Sequence, residues 1–156
     1  MNYTLKSLTA TYTNEKKQAD SFWTRWVLRP ISFPISLVAL RLGFTPNMVS
    51  WISALLAILG GALFGLGHLW AEPVPVQLGG IVLLFVFSVL DCADGNMARA
   101  RNKANPWGSW TDAVGGYIAY TAALLGLGMA AEQGSHAGGL YILLGGIAAS
   151  ANMLMR

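Results

Sequence analysis

Residues 91–112 read D-C-A-D-G-N-M-A-R-A-R-N-K-A-N-P-W-G-S-W-T-D and place three carboxylates inside one of the most apolar parts of the chain. Asp91, Asp94 and Asp112 are three of its seven acidic residues. A carboxylate in a membrane segment costs about 2.5–3.5 kcal/mol on insertion scales, so such groups are usually paired, face a cavity or bind metal. The stretch therefore predicts a membrane fold and marks the place where its function should be sought.

Composition supports the same fold class. Hydrophobic residues make up 54% of the 156 residues and charged residues only 11%, and the mean hydropathy is positive, which is unusual for a soluble domain of this size. We therefore predict an all-α polytopic membrane protein. Apolar windows of about twenty residues predict four transmembrane helices near residues 46–67, 76–98, 108–131 and 137–155.

A different pattern precedes these spans. Residues 20–44 mix aromatic and apolar side chains with arginines and two prolines, which is typical of an amphipathic segment lying at the membrane interface. The alternative is a short first transmembrane helix over residues 31–42, although that run is too short to cross about 30 Å of hydrocarbon. We divide the chain into a cytoplasmic and interfacial segment, 1–44, and a transmembrane domain, 45–156.

The basic residues predict the orientation of the chain. With four spans, all ten fall on one side of the membrane. By the positive-inside rule, that side is the cytoplasmic side of the cell membrane. The carboxylates then open toward the cytoplasm. No basic and aromatic pattern typical of nucleic-acid binding is visible. The ten are Lys6, Lys16, Lys17, Arg25, Arg29, Arg41, Arg99, Arg101, Lys103 and Arg156.

Helical geometry groups the carboxylates with small residues, because positions three or four apart share a helix face. One face of the first helix carries Asp91, Asp94, Gly95 and Ala98, and one face of the next carries Gly108, Asp112 and Gly116. Hard oxygen ligands of this kind suit Mg²⁺, Mn²⁺ or Ca²⁺, and the small residues leave room for a phosphate ligand. The alternative is a purely ionic patch in which the carboxylates pair with the neighbouring basic residues.

These residues resemble the signature of the CDP-alcohol phosphotransferase family, D-x2-D-G-x2-A-R-x8-G-x3-D-x3-D. Identity and spacing match at Asp91, Asp94, Gly95, Ala98, Arg99, Gly108 and Asp112. Upstream, Thr45-Pro46-Asn47 resembles the family's T-P-N element, which opens its first membrane helix.

The resemblance implies a membrane enzyme of phospholipid synthesis that displaces CMP from a CDP-linked lipid, such as CDP-diacylglycerol, by a hydroxyl of a polar alcohol. It also implies a two-metal site for Mg²⁺ or Mn²⁺. Carried over by position, the metal ligands would be Asp91, Asp94 and Asp112. The residues around the CDP moiety would be Pro46, Asn47, Gly95, Arg99, Asn105 and Gly108.

One position departs from the signature. The family's last Asp, thought to act as the base, is replaced by Gly116, and glycine can neither bind metal nor accept a proton. Asp112 is then our candidate for both metal ligand and base. Two other interpretations remain open: an impaired homologue that binds CDP-lipid and metal or partners an active subunit, and a membrane carrier of divalent cations.

Three further expectations concern the rest of the protein. The family has six membrane helices, so we expect the chain to be incomplete at its carboxyl end. The glycine-rich run 138–146 is typical of close helix packing, and we expect a homodimer. Arg29-Pro30-Ile31-Ser32 resembles members that use inositol phosphate or similar acceptors, and Arg25, Arg29 or Arg41 would attract a phosphorylated alcohol. Glycerol phosphate, inositol, serine and a second lipid stay open as acceptors.

Overall fold

Helices account for nearly all of the computed structural model, which describes residues 3–101, 106–135 and 137–155, without the side chains of residues 106, 107 and 109. These described ranges contain no strand. The helices are α1 (Leu5–Ala10), α2 (Asn14–Ala19), α3 (Arg29–Arg41), α4 (Pro46–Leu66), α5 (Pro73–Ala100), α6 (Pro106–Ser135) and α7 (Leu140–Leu154). A π-helical segment, Thr24–Leu28, leads into α3, and a short 3₁₀ turn, Gly67–Leu69, follows α4. The predicted all-α fold is confirmed.

Three helical stretches of the described chain are long and apolar enough to cross a membrane. They are Pro46–Leu69, Pro73–Ala100 and Trp110–Ser135, and they correspond to the first three predicted spans. The fourth prediction falls on α7, which has 15 residues and at 1.5 Å per residue is about 22 Å long, short of about 30 Å of hydrocarbon. The chain is an integral membrane protein with three full-length candidate spans in its described part.

The segment predicted to lie at the interface forms helix before the first span, as expected. Its prolines do not interrupt it: Pro30 falls in the first turn of α3 and Pro34 lies inside that helix. Pro30 is tolerated because the first helical N–H groups have no intrahelical partner in any case. The side chains of Phe22, Trp23 and Trp26 are more than half exposed.

Local signals explain where α4 begins. Gly43 adopts a left-handed backbone with φ +84° just after α3, a conformation that costs glycine no steric energy. The Thr45 hydroxyl then accepts a hydrogen bond from the Met48 N–H at 3.2 Å, which is an N-cap, and Pro46 is the first helical residue. The T-P-N element is therefore a helix start that fixes the register of α4.

The chain divides into two compact units. The first comprises Met1–Ser53 and Ser88–Asp112, and it contains Thr45-Pro46-Asn47 and the signature residues from Asp91 to Asp112. Its apolar core joins α1 and α3 to the start of α4 and the end of α5. The buried members are Leu8, Phe33, Leu40, Val49 and Met97.

The second unit comprises Ala54–Phe87 and Ala113–Arg156, and glycines allow its helices to approach closely. A Cβ added at Gly61 would collide with the Ala122 carbonyl, and one added at Gly145 would meet the Leu124 carbonyl oxygen at 2.6 Å. The expectation for the run 138–146 is correct at Gly145. Gly138 and Gly139 instead form the turn before α7, with φ +66° and +92° and no atom near an added Cβ.

Candidate metal centre

The three motif carboxylates come together in the first unit. Asp91 and Asp94 lie in the last turns of α5 and Asp112 in the second turn of α6, and one oxygen from each lies within 4.8 Å of the others. Asp94 is only 3% exposed, Asp91 is half-buried and Asp112 is exposed. The cluster therefore runs from a buried carboxylate at its base to an accessible one at its mouth.

The spacing of these oxygens fits a divalent cation. Mg²⁺ and Ca²⁺ hold oxygen ligands at about 2.0–2.6 Å, so two ligands of one ion lie at most about 4–5 Å apart. Carboxylates within 4.8 Å of one another satisfy that limit. The donor set is all oxygen and anionic, which favours a hard cation such as Mg²⁺ or Mn²⁺.

Ser50 holds the buried carboxylate from the neighbouring helix. Its hydroxyl lies in α4 and donates a 2.5 Å hydrogen bond to Asp94 Oδ2. Because Ser50 follows Pro46 by one helical turn, the capped start of α4 also sets the position of this hydroxyl. Sequence reasoning missed Ser50, although a serine one turn after the T-P-N element in an apolar helix was a usable signal.

Arg99 lies beside the cluster on the same helix as two of the carboxylates. Its Nη2 donates a 2.7 Å hydrogen bond to Asn96 Oδ1, and its guanidinium folds over Gly95, where an added Cβ would meet Nη1 at 3.5 Å. The Arg99 Nε is buried and has no hydrogen-bond partner among the described residues. The Arg99 guanidinium thus lies over Gly95, the residue that follows Asp94 in the motif.

The other residues predicted to contact the nucleotide lie at the starts of two helices, α4 and α6. Pro46 and Asn47 open α4 and are half-buried, and Gly108 is half-buried near the start of α6. All three lie in the same unit as the carboxylates. Asn105 lies outside the described residues. The nucleotide-binding roles of these residues stay predictions.

Gly116 follows Asp112 by one turn of α6 and is buried. Positions four apart lie on the same side of a helix, so the family's last carboxylate would stand next to Asp112 along this face. The helix is continuous through both positions, and what this chain lacks is the side chain alone.

Arg29 does not offer its charge to an acceptor, contrary to one of our expectations. It is 5% exposed, and its guanidinium bonds Asp20 at 2.7 Å and Asn96 at 2.8 Å. Arg25 and Arg41 are exposed. The buried guanidinium holds α3 against α5, whereas the other two arginines are accessible.

Comparison with known proteins agrees with the motif. The family model for CDP-alcohol phosphatidyltransferases matches residues 43–155. The phosphatidylinositol phosphate synthase of Cutibacterium acnes is 39% identical over 82 residues, covering 52% of this chain and 36% of that protein. The enzyme of the same name from Mycolicibacterium smegmatis is 33% identical over 92 residues, or 58% and 38%.

A third relative extends the match. The phosphatidylinositol phosphate synthase of Mycobacterium tuberculosis is 31% identical over 107 residues, covering 68% of this chain and 46% of that protein. The chain therefore spans less than half the length of the relatives it matches. Since the family model covers most of the chain and includes every carboxylate of the cluster, this protein belongs to the CDP-alcohol phosphatidyltransferase family.

Proposed function

We propose that the protein transfers a phosphatidyl group from a CDP-linked lipid to the hydroxyl of a polar alcohol, releasing CMP, as a step of phospholipid biosynthesis. The observation that carries this proposal is the carboxylate cluster at the family's motif positions, with its three oxygens within 4.8 Å and Asp94 held by Ser50. A cation carrier would need the carboxylates but not the ordered Gly95, Ala98 and Arg99 beside them.

The proposed reaction makes and breaks one bond to phosphorus. The acceptor hydroxyl oxygen bonds to the phosphorus that carries the lipid, the bond from that phosphorus to the CMP oxygen breaks, and CMP leaves with the electron pair. The hydroxyl proton passes to a carboxylate, for which Asp112 is our candidate because it is exposed at the mouth of the cluster. Arg99 donates charge-assisted hydrogen bonds to the diphosphate.

Asp91, Asp94 and Asp112 would hold Mg²⁺ or Mn²⁺ in this reaction. A bound divalent cation supplies charge neutralisation at the diphosphate as negative charge develops on the leaving CMP. The hydrogen bond from Ser50 fixes the orientation of the Asp94 carboxylate, so that less ordering is needed when the ligand arrives.

The proposed setting is the cytoplasmic face of the cell membrane. With the three long spans threaded through a bilayer, nine of the ten basic residues, all but Arg156, fall on the side of the carboxylates, which is the distribution that the positive-inside rule assigns to the cytoplasm. A homodimer completes the proposal, because a glycine-rich run such as residues 138–146 is typical of close helix packing.

The acceptor that we propose is an inositol phosphate. Support comes from relatives named phosphatidylinositol phosphate synthases and from Arg25 and Arg41, two exposed cations that would attract a phosphorylated alcohol. Neither observation depends on Arg29, because its guanidinium forms an ion pair with Asp20.

Gly116 supports a second candidate function. A homologue without the usual base would retain the cluster, bind CDP-lipid and metal, and release CMP slowly or not at all. The chain would then act as a binding subunit or as the partner of an active subunit.

A panel of acceptors tests the proposed function. Membranes containing the chain are incubated with CDP-diacylglycerol, Mg²⁺ and one alcohol, and released CMP is measured. We expect release to be highest with inositol phosphate, lower with inositol, glycerol phosphate or serine, and absent with EDTA. Release that does not depend on the acceptor, or that is highest with another alcohol, would contradict the acceptor assignment. No release of CMP with any of the alcohols would favour the second candidate, a homologue that binds CDP-lipid and metal.

A further inference from the structure

A chain of polar contacts connects the amino-terminal segment to Arg99 of the motif. Asp20 bonds Arg29 at 2.7 Å, and Arg29 Nη1 donates to Asn96 Oδ1 at 2.8 Å. Asn96 Oδ1 also accepts from Arg99 Nη2 at 2.7 Å. One amide oxygen is therefore shared by two guanidinium groups, and these come from residues 70 positions apart in sequence.

Asn96 uses its full hydrogen-bonding capacity in this position. It is completely buried, its oxygen accepts from the two arginines, and its Nδ2 donates to the hydroxyls of Ser32 and Ser36 at 3.0 and 3.4 Å. Guanidinium groups only donate hydrogen bonds, so the amide atom facing them must be the oxygen. The orientation of the Asn96 amide is thus determined by its neighbours.

Arg29 is held by partners within the fold, whereas Arg99 is a motif cation without such a carboxylate partner in the part of the chain that the structure describes. Burial would raise the pKa of Asp20, but hydrogen bonds from Arg29, Lys16 and Tyr12 outweigh burial and lower that pKa to about 2. Asp20 is therefore ionised near neutral pH and balances the charge of Arg29. The Arg29 guanidinium also stacks over the Tyr12 ring, with its Cζ 5.1 Å from the ring centroid.

Arg99 has no carboxylate partner of this kind among the described residues. Its one described side-chain hydrogen bond goes to Asn96, which fixes one end of the guanidinium, while Nε has no described partner and Nη1 lies over Gly95. A guanidinium held by a neutral amide keeps its charge and its remaining donors for an anion.

We propose that Asn96 is a positioning residue, whose amide oxygen holds the Arg99 guanidinium beside Gly95 so that its remaining N–H groups bind a phosphate oxygen of the CDP diphosphate. The inference rests on the proposed function, because it assumes that the ligand next to the carboxylates is a nucleoside diphosphate. It assigns a role to a position that the family signature leaves unspecified. Arg99 is the group that contacts the ligand, and Asn96 acts through it.

A double-mutant cycle tests the proposal by equilibrium binding of CDP to the solubilised chain in Mg²⁺. Loss of a side chain that orients a metal ligand typically costs about 10–100-fold. We expect a loss at the lower end of that range here, with Asn96→Ala raising the Kd for CDP about 10-fold. Arg99→Gln should raise it at least as much. In the Arg99→Gln background, Asn96→Ala should add less than about twofold, because coupled residues are not additive.

Controls separate this role from a structural one. Mn²⁺ binding, followed by electron paramagnetic resonance, reports whether the carboxylate cluster is still folded and should change little in either single variant. Gln133→Ala removes a half-buried amide that donates to the Gly65 carbonyl at 2.7 Å and contacts none of these residues, and it should leave the Kd for CDP unchanged. Asn96→Asp preserves the shape if Asn96→Ala does not fold. Its carboxylate would pair with Arg99 and should also raise the Kd about 10-fold.

The outcomes distinguish the inference from the function on which it rests. Equal increases in Kd from Asn96→Ala with Arg99 present and absent would show that Asn96 acts through the fold, and would overturn the proposal. So would an unchanged Kd in a folded Asn96→Asp variant. Failure of the unmodified chain to bind CDP in Mg²⁺ would instead refute the proposed function, and the inference with it.

Discussion

Gly116→Asp should raise the rate of CMP release from CDP-diacylglycerol by up to about 10²–10⁴, the full range of general-base assistance, because Asp112 would otherwise have to serve as both metal ligand and base. The substitution restores a carboxylate one helical turn after Asp112, on the face of α6 that the motif occupies. It adds a proton acceptor without removing any group of the cluster. The measurement is CMP release in the presence of Mg²⁺ and inositol phosphate, comparing the substituted with the unsubstituted protein in the same membranes.

Gly115→Asp is the matched control. Gly115 is a buried glycine next to Gly116, but it lies about 100° around the helix from that position, so a carboxylate there should not raise the rate. An equal increase from both substitutions would show that the gain does not come from a base at the motif position. No increase from Gly116→Asp, with Mn²⁺ binding retained, would show that the missing base is not what limits this chain.

Asp94→Asn should weaken metal-dependent binding of CDP-diacylglycerol by about 100-fold or more. Loss of groups that only orient a metal ligand costs about 10–100-fold, and loss of a ligand itself should cost at least as much. Asp94 is the most buried of the three carboxylates, and an asparagine oxygen at this position can still accept the hydrogen bond from Ser50. The fold should therefore survive while one anionic ligand is lost.

The measurement is the Kd for CDP-diacylglycerol at fixed Mn²⁺, with Glu15→Gln as the control. Glu15 lies in the first turn of α2 and is exposed, so its neutralisation changes the net charge equally without touching the cluster. An Asp94→Asn variant that binds as tightly as the unmodified chain would exclude Asp94 from the metal site. A loss of the same size in Glu15→Gln would assign the effect to overall charge.

Much of the fold was predictable because its signals are local in sequence. Apolar windows of about twenty residues predicted the three long helices, and the resemblance of Thr45-Pro46-Asn47 to the family's T-P-N element predicted the start of α4. The clustering of Asp91 and Asp94 needs only helical periodicity, and a short connection places Asp112 at the start of the next helix. Periodicity did not predict the length of α7 or the continuous helix through Pro34.

The supporting side chains were not predictable, because their partners are distant in the sequence. Ser50 meets Asp94 across 44 positions, and Arg29 meets Asn96 across 67. Nothing in the local pattern shows that Asp20 would pair with Arg29 and bury its charge, so sequence reasoning kept Arg29 as an acceptor contact alongside Arg25 and Arg41. Once the helices pack, a buried arginine must find partners, and only the tertiary structure shows which ones.

Equilibrium binding of CDP-diacylglycerol to the unsubstituted protein, with Mn²⁺ and with EDTA, tests most directly whether the carboxylates form a metal centre that binds a CDP-lipid. The measurement requires no turnover and does not depend on Gly116. The account predicts saturable binding in Mn²⁺ that is lost in EDTA and returns when Mn²⁺ or Mg²⁺ is added. Binding of the same strength in EDTA would contradict a metal centre at Asp91, Asp94 and Asp112. Cation binding without any affinity for the CDP-lipid would contradict the proposed function of the protein.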